Sequence, residues 1–207
     1  MLMRSPLAGK RLSPPGFIRP CQPTLSSKVP TGPDWIHEVK YDGYRLIARK
    51  DSSRVRLWSR NGRSWTDGFA AITAGVEALP ADVVLDGEAV APCPRGYPDF
   101  HALSTPERAK GACLLAFDLL LLDGADLRQR PLSERRVLLL EVLEGCAEGL
   151  QFSEHMEGAA GPVMFEHAAR MGLEGIVSKR KDSLYRSGRS AKWLKIKALE
   201  YRRLNLR

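Results

Sequence analysis

The longest strongly apolar run in this 207-residue chain, Cys113 to Leu122, is only ten residues long and carries Asp118 inside it. A bilayer span needs about 20 apolar residues, so the run is expected to be a buried strand instead. Similar punctuation recurs along the chain. Segments rich in β-branched and aromatic residues at Trp35–Lys40, Tyr44–Lys50 and Val55–Arg60 are separated by Asp42-Gly43 and Asp51-Ser52-Ser53, which predicts an antiparallel meander. Further strands are expected at Val83–Val90, Leu150–Glu154, Gly175–Lys181 and Trp193–Ala198. Apolar residues at helical spacing predict helices over Asp67–Leu79, Ser133–Ala147 with Ser133 as N-cap, and Gly161–Met171. The first 30 residues hold six prolines, including Pro20 and Pro23, and are expected to wrap the surface as an extended arm. These signals fit one α+β domain over residues 31–200, between an arm at 1–30 and a short basic tail at 201–207.

Composition narrows the class. A hydrophobic share of 43% with 27% charged residues is ordinary for a globular domain. The start, MLMRSPLAGKR, has no apolar h-region, and Cys21, Cys93, Cys113 and Cys146 are scattered without metal-ligand spacing. A soluble, cytoplasmic protein in a reducing compartment is expected, with no membrane partner. Charge is uneven: Arg170–Arg207 holds 12 Lys/Arg against 3 Asp/Glu, whereas residues 1–169 hold 20 against 21. A basic C-terminal third suits a polyanionic partner, either a nucleoside triphosphate or a nucleic acid backbone; a solvated basic face is the plainer alternative.

Several residues carry potential chemistry. Lys40 closes a strand ahead of Asp42-Gly43, where a long amine projects from a rigid edge. A lysine nucleophile must shed its proton, which neighbouring cations, burial or a metal promote. Lys195 and Lys197 alternate on one strand face and are suited to holding a phosphate. Glu88, within an apolar strand, and Glu174, just before another, each want a metal, a ribose hydroxyl or a cationic partner, and Asp118 raises the same question. With phosphate nearby, hard oxygen ligands imply Mg2+. Phe117 is either core or a platform for a base. Ser59-Arg60-Asn61-Gly62 reads as a hairpin corner, or as a turn aiming Arg60 at phosphate.

Taken in order, these blocks resemble the covalent nucleotidyltransferases. Lys40-Tyr41-Asp42-Gly43-Tyr44-Arg45 matches the KxDGxR signature, followed by Ser59-Arg60-Asn61-Gly62, Asp86-Gly87-Glu88, Phe117-Asp118, Glu174-Gly175-Ile176-Val177-Ser178-Lys179 and Trp193-Leu194-Lys195-Ile196-Lys197. The wording IHEVKYDGYR, LDGEAV, GLEGIVSKR and YRSGRSAKWLKIK is similar to ATP-dependent DNA ligases, especially the ligase module of bacterial non-homologous end-joining ligases.

The resemblance implies two antiparallel sheets flanked by helices, with a nucleotide cleft between them. It implies that Lys40 takes AMP from ATP as a phosphoramidate and passes it to a DNA 5′-phosphate, which an adjacent 3′-hydroxyl then attacks. By the same resemblance Glu38 lies near adenine, Arg45 and Arg60 near phosphate, Glu88 on ribose or metal, and Phe117 against the base. Glu174 binds Mg2+, Lys179, Lys195 and Lys197 contact the nucleotide phosphates, and Arg186 and Arg189 are DNA-backbone candidates. Such ligases continue into an OB-fold domain, whereas ten residues follow Lys197 here. Slow adenylation is therefore expected unless a separate OB-fold or end-joining protein assists on nicked or broken duplex DNA. RNA ligase, capping guanylyltransferase and a catalytically weak DNA-binding remnant are the alternatives.

Overall fold

In strand β3 (Tyr44–Asp51), Leu46 and Ala48 point into one core while Ile47 points into another, because successive side chains of a strand leave opposite faces. That alternation, repeated strand by strand, builds two packed sheets. The computed structural model describes residues 16–91, 103, 109, 111–145 and 148–198. The first sheet runs, in spatial order, β1 (Cys21–Leu25), β11 (Gly188–Lys197), β10 (Gly175–Arg180), β2 (Trp35–Val39) and β9 (His155–Glu157). The second runs β4 (Arg54–Ser59), β3, β5 (Val83–Val90), β6 (Cys113–Leu122) and β7 (Ala125–Asp126), with β8 (Leu150–Phe152) also paired to β6. Pairings are antiparallel except β1 with β11 and β6 with β8.

Among the described residues, three cores hold the layers. Ile36, Ile47, Trp58, Val84, Phe117, Leu120 and Trp193 fill the space between the sheets. Helices α1 (Ala70–Ala78) and α2 (Leu132–Leu143) cover the other face of the second sheet, where Ile72, Val76 and Leu139 meet Leu46, Leu85 and Leu114. Helix α3 (Gly161–Arg170) lies on the first sheet, where Ala168 packs with Ile176 and Ile196. Each Leu or Ile so buried contributes roughly 1.5–3 kcal/mol. No described helix is long and apolar enough to cross a membrane.

The expected meander is wrong in its first pairing. Strand β2 pairs with β10 and β9, while β3 pairs with β4 and β5, so the chain crosses between sheets over residues 40–43. Gly43 has no positive φ and makes no hairpin; a Cβ there would collide with the Ala89 carbonyl oxygen. The glycine answers a close approach of backbones rather than a turn.

Other boundaries shift for identifiable reasons. Helix α2 starts at Leu132, behind Pro131, with no side-chain cap from Ser133, and ends at Leu143; residues 146 and 147 lie outside the described set. The first helix splits into a 3-10 turn, Thr66–Gly68, and α1. The last strand begins at Gly188, well before Trp193. Residues 21–25 of the arm pair with β11 and bury Cys21, so the boundary expected at residue 31 falls inside the fold. Residues 1–15 and 199–207, with Cys93 and Cys146, lie outside the described residues; Cys21 and Cys113 are free thiols.

Candidate active site

Strand β2 ends at Val39, and the Lys40 N–H donates to the Gly175 carbonyl at 2.9 Å, fixing the lysine backbone where the chain leaves the first sheet. Gly175 has φ +135°, and a Cβ there would run into the Ile196 carbonyl oxygen, so glycine keeps β10 tight against β11 beside this point. The neighbour on the other side is Glu174. Its Oε2 lies 2.5 Å from Lys40 Nζ and its Oε1 2.6 Å from Lys197 Nζ. Burial pushes the Glu174 carboxyl up, but Lys40 and Lys197 outweigh it and hold the group below the ordinary carboxylate range. Lys195, one pleat along from Lys197, is lowered by burial and by the Lys197 and Lys40 charges.

Two connected hollows meet at these residues. An outer cleft of about 460 Å³ is lined by Lys40, Arg45, Arg60, Glu88, Glu174, Arg189, Lys195 and Lys197, with Pro20–Pro23 of the arm as one wall. An inner pocket of about 80 Å³ leads off it, between Glu38, Phe117, Lys179 and Trp193. Lys40, Arg45, Glu88 and Pro23 border both. The outer cleft alone falls within the roughly 300–1,000 Å³ typical of ligand sites. Burial, opposed by Arg45 and Lys40, raises Glu88 from 4.5 to about 7.

The inner pocket is framed by buried ion pairs. Glu38 receives Arg136 Nη1 on Oε1 and Lys179 Nζ on Oε2, both at 2.6 Å. Lys179 is 2% exposed and burial lowers its pKa, with Glu38 opposing. It thus faces the inner pocket rather than the outer cleft of Lys195 and Lys197. Its ammonium lies 4.0 Å from the Phe117 ring centre, and the Arg45 guanidinium lies 4.5 Å from it. Phe117 is 8% exposed, mostly core, with a margin on the inner pocket. Asp118 finds its cation: Arg135 grips both oxygens at 2.7 and 2.8 Å, with both residues fully buried. Arg186 is exposed and Arg189 stands at the cleft mouth.

A hydrogen-bonded ring holds Arg45. Asp86 accepts Arg45 Nε at 2.6 Å and Nη2 at 2.7 Å, and the Tyr185 hydroxyl at 2.5 Å. Tyr185 in turn accepts the Cys21 N–H at 3.0 Å, while Arg45 Nη2 donates to the Cys21 carbonyl at 3.1 Å. Sequence reasoning missed Asp86, Tyr185, Arg135 and Arg136. The arginines did leave a signal, since Leu132, Arg135, Arg136, Leu139 and Leu143 form one i, i+3, i+4, i+7 stripe, all buried.

Among the described residues no group of three or more His, Cys, Asp or Glu is arranged to hold a metal. Glu88 and Glu174 nevertheless face one cleft. Two carboxylates are what Mg2+ uses when substrate phosphates and waters complete its shell, so the donor set fits that ion.

Comparison with known proteins agrees with this arrangement. The profile of the ATP dependent DNA ligase domain matches residues 21–197. The multifunctional non-homologous end joining protein LigD of Pseudomonas aeruginosa is 39% identical over 196 residues, covering 92% of this chain and 23% of that protein. The Mycobacterium tuberculosis LigD is 42% identical over 166 residues, covering 79% of this chain and 21% of that protein. The chain thus spans between a fifth and a quarter of these relatives' length. The solved ligase domain of M. tuberculosis LigD superposes with a TM-score of 0.75 at 35% identity, over 86% of this chain and 60% of that one. Its fold is the two-sheet nucleotidyltransferase fold, and the chain belongs to the ATP-dependent DNA ligase domain family.

Proposed function

We propose that this chain is the adenylation domain of a bacterial end-joining DNA ligase, with Lys40 as the AMP carrier. The observation that carries the reading is the Lys40–Glu174–Lys197 triplet, with Lys195 beside it, at the junction of an anionic-ligand cleft and an inner pocket. In its unprotonated form Lys40 Nζ attacks the α-phosphate of ATP; the N–P bond forms as the bond to pyrophosphate breaks, and the nitrogen sheds one proton to water. Lys195, Lys197 and Arg60 offset the charge on the phosphoryl oxygens, and the demand on the protein is for cations and position rather than a proton relay. Glu88 and Glu174 would hold Mg2+, which supplies further charge neutralisation at the phosphates. Arg45, locked by Asp86, is set to orient phosphate or ribose, and Glu38 with Phe117 receives the purine. Arg189 and Arg186 flank the exit for a DNA strand.

The partner is nicked or broken duplex DNA, and the compartment is the bacterial cytoplasm. Incubation with α-labelled ATP and Mg2+ is expected to label the protein, and Lys40→Ala to abolish the band. ATP is expected to label and GTP not, which separates this reading from a capping guanylyltransferase. A wild-type chain that neither labels from ATP nor takes AMP back from adenylated nicked DNA refutes it.

A further inference from the structure

Strand β4 reads Arg54-Val55-Arg56-Leu57-Trp58-Ser59 and runs into Arg60. The odd residues Val55 and Leu57 pack into the helix-covered core, while Trp58 turns to the inter-sheet core under Phe17. Arg54 and Arg56 therefore share the Trp58 face, and Arg60 follows at the cleft mouth. The strand lies at the sheet edge.

Register adds a second observation. Arg56 stands directly opposite Arg49 of β3, a like-charge cross-strand pair that is unfavourable on its own. Arg49, Asp51, Ser53, Arg54 and Arg56 line a shallow depression of about 300 Å³, whose single carboxylate, Asp51, is mostly exposed and lies 3.1 Å from Arg49 Nη2, so it pairs with Arg49 and not with Arg54 or Arg56. Elsewhere Arg128, Arg170 and Arg180 each have a carboxylate within 3 Å, whereas exposed Arg19, Arg63, Arg130, Arg186 and Arg189 have no ion pair among the described residues. Among the described residues, Arg54, Arg56 and Arg60 form no ion pair. Edges guarded only against aggregation use lysine readily; guanidinium forks match phosphate oxygens.

We infer that Arg54 and Arg56, with Arg49, form a phosphate track that carries duplex DNA away from the cleft along β4. Six residues at ~3.3 Å span about 20 Å, or about six base pairs at 3.4 Å each. The choice of DNA as the polyanion rests on the ligase reading; the anion track itself rests on the arginines.

The test is the salt dependence of binding to a nicked, fluorescein-labelled 30-base-pair duplex, compared among wild type, the double variant Arg54→Gln/Arg56→Gln, and Arg170→Gln/Arg180→Gln as a control that removes the same two charges elsewhere. Each phosphate contact contributes about 0.9 to the slope of log K against log salt, so the double variant is expected to lose about 1.8 and the control none. Trimming one duplex arm to three base pairs is expected to erase the difference between wild type and the double variant. Lys40 labelling from ATP stays unchanged in both variants. Equal slopes for all three proteins, or no binding by wild type at low salt, overturn the track. Failure of Lys40 both to label from ATP and to take AMP back from adenylated nicked DNA overturns the ligase reading and leaves the slope result standing.

Discussion

Replacing Tyr185 by Phe removes one oxygen from the ring that holds Arg45. The aromatic ring stays, so its edge contact with Trp193 at 6.0 Å and its place beside Arg135 persist, and no cavity opens. Two hydrogen bonds go. The bond to the fully buried Asp86 carboxylate is charge-assisted, worth about 1.5–3 kcal/mol, and the Cys21 N–H, buried in β1, is left without its acceptor at about 1–3 kcal/mol. Because the two losses share one atom, a total of about 3 kcal/mol is expected, within the roughly 5–15 kcal/mol of a typical domain, so the variant folds. Urea unfolding reads this as a lower midpoint at constant slope. With its backstop gone Asp86 turns more freely, and KM for ATP in the labelling reaction rises more than kcat falls. A stability loss below about 1 kcal/mol, or a fall in kcat with unchanged KM, refutes the reasoning.

Glu88 predicts a pH dependence of stability. Its folded value of about 7 lies above the ordinary 4.5, so the native state keeps a proton that the unfolded chain releases. This contribution is complete below pH 4.5 and is lost as pH rises towards 7, about 3 kcal/mol at ~1.4 kcal/mol per pH unit. Glu88→Gln is expected to flatten the urea midpoint over that window; parallel profiles for variant and wild type count against it. Arg136→Met strips one of two cations from buried Glu38 and leaves the Ser153 carbonyl without its donor. Breaking a buried pair this way costs about 3–5 kcal/mol, and at 2–4 °C per kcal/mol the melting temperature should drop by at least about 6 °C. A calorimetric shift under about 2 °C would argue that Glu38 is stabilised mainly by Lys179.

Strands and helices were legible because their cores impose periods of two and 3.6, and Lys40, Arg45, Arg60, Glu88, Glu174, Lys195 and Lys197, drawn from separate blocks, line one cleft. Pairing was not legible. Asp42-Gly43 carries every local mark of a hairpin turn, yet the need for glycine comes from Ala89, 46 residues away, whose backbone passes too close for a side chain. Nothing within reach of a local window encodes that contact. Arg135 and Arg136 were hidden differently: charged residues on a helix read as solvent-facing until their buried partners, Asp118 and Glu38, are brought to them by the sheets. Tyr185 sits among arginines that drew attention to charge, whereas its own part is to join the arm to β5.

The order of strands has a consequence during synthesis. The second sheet can assemble from residues 44–126 and 150–152, nearly in the order the ribosome delivers them. The first sheet cannot, since β1 and β2 wait for β10 and β11. Lys40 therefore emerges 134 residues before Glu174 and 157 before Lys197. At about 5–20 residues per second, the lysine waits roughly 7–30 s for its partners to be synthesised. A product that stops before Glu174 therefore bears Lys40 without the carboxylate that grips it in the folded domain.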